Sequence, residues 1–163
     1  MFKRLILSSL ILLGLNSISY AAEPWMSSSW TKEFCSYWNE HLQSTMAEWS
    51  NYNVNKEKGY KSIAFYRQDC NPKVISEVEV KYENGKAVCV YGGLEKDQHP
   101  EFVMYATTKN WKSLAAGDFG FLNMGMFTKM TFKGSKGEAM QFIAPFKAFL
   151  VGLGKVPYTD ACP

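Results

Sequence analysis

Four cysteines, two histidines and a dense group of methionine and phenylalanine are the side chains with chemistry to offer. Cys35, Cys70, Cys89 and Cys162 contain no Cys-x-x-Cys spacing, so they do not read as a zinc or redox site. Their natural use is disulfide bonding, and four cysteines allow three pairings. His41 stands beside Glu40 in a helical pattern, and His99 precedes Pro100 in a loop. Neither has a ligand spacing or a nucleophile motif, and the chain has no GxSxG, HExxH, phosphate loop or GxGxxG. No catalytic residue, cofactor or metal is expected from these patterns. A small hydrolase assembled around His41 or His99 is the alternative they leave open.

The apolar residues are more informative. The 163 residues include 11 Phe, 9 Tyr, 5 Trp and 8 Met, a large supply of soft, bulky side chains. They are unevenly spread. Trp30, Trp38 and Trp49 recur along one N-terminal pattern, whereas Met and Phe concentrate after Phe119. Phe121, Leu122, Met124, Met126, Phe127, Met130, Phe132, Met140, Phe142, Ile143, Phe146, Phe149 and Leu150 make that stretch nearly continuous. Met and Phe at strand and helix spacing form ordinary core in most proteins. Met is also flexible and polarizable, which suits a surface adapting to varied apolar ligands. Two readings follow: a fully packed interaction module, or an apolar pocket lined by these thirteen residues.

The N-terminus defines the setting. Lys3 and Arg4 precede an apolar run from Leu5 to Leu15, with small residues Ser19 and Ala21 ahead of Ala22. That is the pattern of a secretory signal peptide over residues 1–21, and the run is too short to span a bilayer. Residues 22–163 are then expected to form one domain, periplasmic or secreted. Removing Lys3 and Arg4 from the net charge of +3 leaves 16 basic against 15 acidic side chains. A near-neutral domain carries no electrostatic footprint for nucleic acid. In an oxidising compartment the four cysteines should form two structural disulfides.

The elements that must position these residues are legible in outline. Trp30, Phe34, Trp38, Leu42, Met46 and Trp49 recur at i, i+4, predicting one amphipathic helix from about 29 to 50, capped by Ser28 or Ser29. Residues 60–68 read as a strand. Val74 to Tyr82 alternates apolar and polar, Asn84-Gly85 supplies a hairpin turn, and Ala87 to Tyr91 returns. That alternation predicts a sheet with one buried and one wet face. A strand at 101–106, a short helix over Trp111 and Leu114, and a strand from Thr128 to Lys133 follow. Gly134 turns into a last helix that Pro145 must kink or restart. The fold class is α+β: a mostly antiparallel sheet of about five strands covered by N-terminal and C-terminal helices. If the first helix packs antiparallel to the strand at 60–68, Cys35 and Cys70 fall at the same end. This favours the pairs 35–70 and 89–162.

In Phe102-Val103-Met104, Trp111 to Gly117, Met126 to Phe132, Gly134 and Ala139-Met140 the sequence resembles the sterol carrier protein type two domain. The preceding helix, strand and hairpin stand in the order such a domain would have. Thr128-Lys129 occupies the place where the family usually has Gly-Lys. The resemblance implies an apolar tunnel between sheet and C-terminal helices, holding a sterol, fatty acyl chain or related lipid without covalent chemistry. It implies as partners a lipid or other apolar small molecule and transient contact with a membrane surface. N-terminal sequencing of the exported protein should begin at Ala22; a secreted chain still starting at Met1 would contradict the leader.

Overall fold

The computed structural model describes residues 22–163, so the expected signal peptide at 1–21 lies outside the described residues. In chain order the elements are α1 (Ser28–His41), α2 (Ala47–Asn51), β1 (Lys61–Arg67), β2 (Ser76–Glu83), β3 (Lys86–Leu94) and β4 (Phe102–Ala106). They continue with α3 (Thr108–Ala115), a 3-10 turn (Phe121–Asn123), α4 (Gly125–Lys129), β5 (Thr131–Lys133), α5 (Lys136–Gln141) and α6 (Ile143–Gly152). The strands form one sheet in the order β3-β2-β1-β4-β5. Only β1 and β4 run parallel; the other neighbours are antiparallel. The α+β class and the five-stranded, mostly antiparallel sheet agree with the sequence reading.

The N-terminal helix is shorter than its periodicity predicts. Ser27, rather than Ser28 or Ser29, caps it, its Oγ accepting from the Trp30 N–H at 3.1 Å. The chain leaves α1 at Leu42 and resumes as α2 at Ala47. In the intervening turn the Gln43 carbonyl accepts from the Ala87 N–H of β3 at 3.0 Å. The edge strand thus takes a carbonyl that a continuous helix would have used internally. The i, i+4 apolar pattern survives the break because Leu42, Met46 and Trp49 still face the core.

α1 lies along the β3 edge. The Asn39 side chain donates to the Cys89 carbonyl at 2.9 Å and accepts from the Cys89 N–H at 2.8 Å, as a neighbouring strand would. Trp38 Nε1 donates to the Ala87 carbonyl at 2.9 Å. The approach is close enough that a side chain at Gly92 would run into the Thr31 carbonyl and the Cys35 Cβ. The hairpin turn is formed by Asn84 and Gly85, both at positive φ.

The expected wet face of the sheet is partly covered. Glu77 and Glu79 are buried, because residues 95–97 fold back across them. Glu77 Oε2 accepts from the Lys96 and Asp97 N–H groups, both at 2.9 Å. Asp97 in turn accepts from Ser62 Oγ at 2.8 Å and pairs with Lys58 at 2.6 Å. Burial pushes the Glu77 carboxyl up, against those two backbone hydrogen bonds. The alternation reported side-chain direction correctly, and a polar loop then closed over the outward side.

In the C-terminal third, Thr128 and Lys129 complete α4, and the strand expected from Thr128 is confined to Thr131–Lys133. α5 stops at Phe142, whose ψ of 45° is non-helical, and α6 restarts at Ile143. Pro145 then sits in a first turn, where its missing N–H costs nothing.

The disulfides are Cys35–Cys89 and Cys70–Cys162, not the expected 35–70 and 89–162. The expectation put α1 along the strand at 60–68, the centre of the sheet; α1 instead lies along the β3 edge, which brings Cys35 to Cys89. The C-terminal tail runs to the end of β1, where Arg67 donates to the Asp160 and Ala161 carbonyls at 2.8 Å, delivering Cys162 to Cys70. Peptide mapping without reduction should recover the 35–89 and 70–162 links. Cys70→Ser with Cys162→Ser should cost roughly 2–5 kcal/mol in urea unfolding, since the bond closes a loop between residues 92 apart. An unchanged midpoint would contradict that role.

Candidate ligand cavity

An apolar cavity lies between the sheet and the helices. Its sheet side is built by Ile63 of β1, Phe102 and Met104 of β4, and Phe132 of β5. Pairing brings these together: Ile63 is opposite Phe102, and Met104 is opposite Phe132. Met46 and Trp49 close it from the α1–α2 turn and α2, and Ala139, Phe142, Phe146 and Phe149 from α5, the α5–α6 break and α6. Every lining side chain is apolar.

The rings interlock around this space. Phe132 and Phe146 have centroids 5.5 Å apart, Phe102 and Phe132 5.8 Å, and Trp49 and Phe102 5.9 Å. Phe127 packs edge-on to Phe132 at 5.6 Å. The free volume is about 20 Å³, room for little more than one water. With the rings as they stand, the space has no room for a larger guest.

The thirteen residues singled out in the sequence separate into three groups. Phe132, Phe142, Phe146 and Phe149 line the cavity. Met126, Met130 and Leu150 are buried in the common core, with Phe127 and Ile143 packed partly buried against it. Phe121 (86% exposed), Leu122 (71%), Met124 (54%) and Met140 (44%) are at the surface. Sequence reasoning missed Met46, Trp49, Ile63, Phe102, Met104 and Ala139. Their signal was present as the apolar faces of the first helix and the strands, but strand order decides which faces meet.

A charged cluster lies against two of the lining rings, outside the lining itself. Lys61, two residues before Ile63 on the same face of β1, is fully buried. Its Nζ donates to Glu101 Oε1 at 2.7 Å and to Glu138 Oε1 at 2.6 Å. It also stands 5.1 Å and 5.6 Å from the ring centroids of Trp49 and Phe102, two of the lining residues. Burial pushes the Glu101 carboxyl up, while the Lys61 hydrogen bond and charge pull it down.

The histidines lie elsewhere. His41 is exposed in the last turn of α1, 3.6 Å from Glu40, with its ring tilted against Tyr37. His99 is exposed, its N–H donating to Asp97. Among the described residues neither imidazole bonds a hydroxyl, and no group of three His, Cys, Asp or Glu is arranged to hold a metal ion.

The architecture has counterparts among solved structures. A crystal structure of sterol carrier protein 2 superposes with a TM-score of 0.59 at 14% identity, covering 80% of this chain and 98% of that one. A solution structure from Thermus thermophilus, of a conserved hypothetical protein described as a possible sterol carrier protein, gives 0.58 at 15% identity. That match covers 88% of this chain and 99% of the other. No protein-family model and no curated protein sequence matches the chain. The chain has the sterol carrier protein 2 fold.

Proposed function

We propose that residues 22–163 form an exported domain that binds or transfers a sterol, fatty acyl chain or related lipid. The observation that carries this reading is the wholly apolar cavity between the sheet and α2, α5 and α6, in a fold shared with sterol carrier protein 2. No covalent step is needed. Each methylene moved from water into such a space contributes about 0.8 kcal/mol, which offsets the separation of packed rings. The cavity opens by displacing Phe142 and Phe146, which flank the interruption between α5 and α6. Phe132 and Phe149 then line the bound chain, with Met126, Phe127, Met130, Ile143 and Leu150 as the yielding wall behind them. Export is supported by the two disulfides, which persist in oxidising compartments.

The exposed group Phe121, Leu122 and Met124 serves as a transient membrane contact. This segment turns through positive φ at Leu122 (49°) and Asn123 (63°) and holds three large apolar side chains in solvent. Lys147 has its Nζ 5.0 Å from the ring centroid of Phe119, two residues before this segment, a cation suited to an anionic lipid surface.

Native mass spectrometry of the purified protein should reveal a copurifying lipid, displaceable by a fluorescent fatty acyl or sterol probe. Phe121→Asp with Leu122→Asp should leave equilibrium binding intact and slow delivery to anionic vesicles on the order of tenfold. Absence of any bound lipid, together with no probe binding, would overturn the reading.

A further inference from the structure

α5 covers part of the cavity and is lightly attached. Of its six residues only Glu138 and Ala139 are buried; Lys136, Gly137, Met140 and Gln141 are exposed. Ala139 lines the cavity, and so does Phe142, where the helix ends. Among the described residues, the bond from Lys61 to Glu138 is the only hydrogen bond that ties 135–141 to any residue before 135. The segment is jointed at both ends. Gly134 precedes it at a φ of 126°, a conformation that favours glycine, and Phe142 leaves the helix at a ψ of 45°. Beyond that joint Phe142 rests on Tyr52, their ring centroids 5.1 Å apart.

The charged cluster suits a contact that is made and broken. A buried ion pair adds little net stability, and breaking one is costly chiefly when it leaves a bare buried charge. Here two carboxylates share one ammonium: Lys61 Nζ donates to Glu101 at 2.7 Å and to Glu138 at 2.6 Å. Only Glu138 belongs to α5. Glu101 precedes β4, and the Trp49 and Phe102 rings stand against the same ammonium. When Glu138 leaves, Lys61 therefore stays paired. Burial pushes the Glu101 carboxyl up and the neighbouring Glu138 charge adds to it, against the pull of Lys61. Departure of Glu138 relieves that repulsion.

We infer that α5 is a lid over the cavity and that the Lys61–Glu138 pair is its latch, with Glu101 keeping Lys61 paired while the lid is lifted. Lifting it takes Ala139 and Phe142 out of the wall and opens a way in for an apolar chain. This inference rests on the lipid-binding reading above and names the moving part and what holds it. The two carboxylates then act in opposite directions. Glu138→Gln weakens the latch and leaves the Lys61–Glu101 pair in place. Glu101→Gln leaves Glu138 as the one ionic partner of Lys61 and removes the repulsion that helps to release it. The first eases opening and the second resists it, whereas a cluster serving only stability would loosen with either.

The test combines stopped-flow mixing with cis-parinaric acid, a fluorescent fatty acid, and amide hydrogen exchange of the lipid-free protein. Glu138→Gln should raise the association and dissociation rates together by about tenfold, equivalent to about 1.4 kcal/mol, with Kd moving less than about threefold. Glu101→Gln should lower both rates by about threefold. The Ala139 and Phe142 amides, bonded to the Ser135 and Glu138 carbonyls, should exchange fastest in Glu138→Gln and slowest in Glu101→Gln, with β1 unchanged. If Glu138→Gln folds poorly, Ser135→Ala frays α5 from its exposed cap and should act in the same direction. Rates left unmoved, or moved in the same direction by both carboxylate substitutions, would overturn the inference and leave lipid binding standing. No binding of the probe to the wild-type protein would remove the lipid-binding reading and this inference with it.

Discussion

The parallel pairing of β1 with β4 at the centre of the sheet is the constraint on which the remainder depends. β1 reaches its parallel neighbour only after the chain has completed the β2–β3 hairpin on the other side. The sheet is thereby divided into two halves made from different parts of the sequence. α1 covers the half that ends at β3, tied there by Asn39 and by Cys35–Cys89. The C-terminal helices cover the half that ends at β5. Phe149 bridges the two, packing on Phe34, Trp38 and Phe65. The apolar cavity lies at the seam, where neither set of helices alone fills the space above Ile63 and Phe102.

The same pairing assembles a charged cluster against the lining rings of Trp49 and Phe102. Lys61 opens β1 at the edge of the covered area, and Glu101 precedes β4, so parallel pairing sets both at the same end. Glu138 comes down from α5 to meet them. On the opposite face, Glu77 and Glu79 are enclosed by residues 95–97, and Glu77 fastens that loop through two backbone N–H groups. The two faces therefore use buried carboxylates differently. One set closes a loop; the other pairs with a buried ammonium.

Local features of the chain were legible in its sequence. The Asn84-Gly85 hairpin, the restart of the last helix before Pro145 and the α+β order follow from turn chemistry and periodicity. What escaped depended on long-range placement. The break at Leu42 was invisible because Leu42, Met46 and Trp49 continue the apolar period across it. The disulfide pairing was misread because nothing local states that α1 crosses β3 rather than β1. The cavity was half legible. Phe132, Phe142, Phe146 and Phe149 belong to the apolar C-terminal stretch, while Trp49, Ile63 and Phe102 join them only through strand order. Hydrophobicity likewise could not separate buried Met126 from exposed Phe121 and Met124, which are neighbours in sequence.

The central claim is that an apolar ligand enters at this seam by displacing side chains that fill it in the free protein. Methionine methyl NMR reads this directly, because Met46 and Met104 line the cavity while Met26 is buried away from it beside Ser76. Titration with a bound lipid should shift the Met46 and Met104 methyl signals and leave Met26 in place. Saturating lipid that moves only the surface residues Met124 and Met140, with Met46 and Met104 unchanged, would contradict the account.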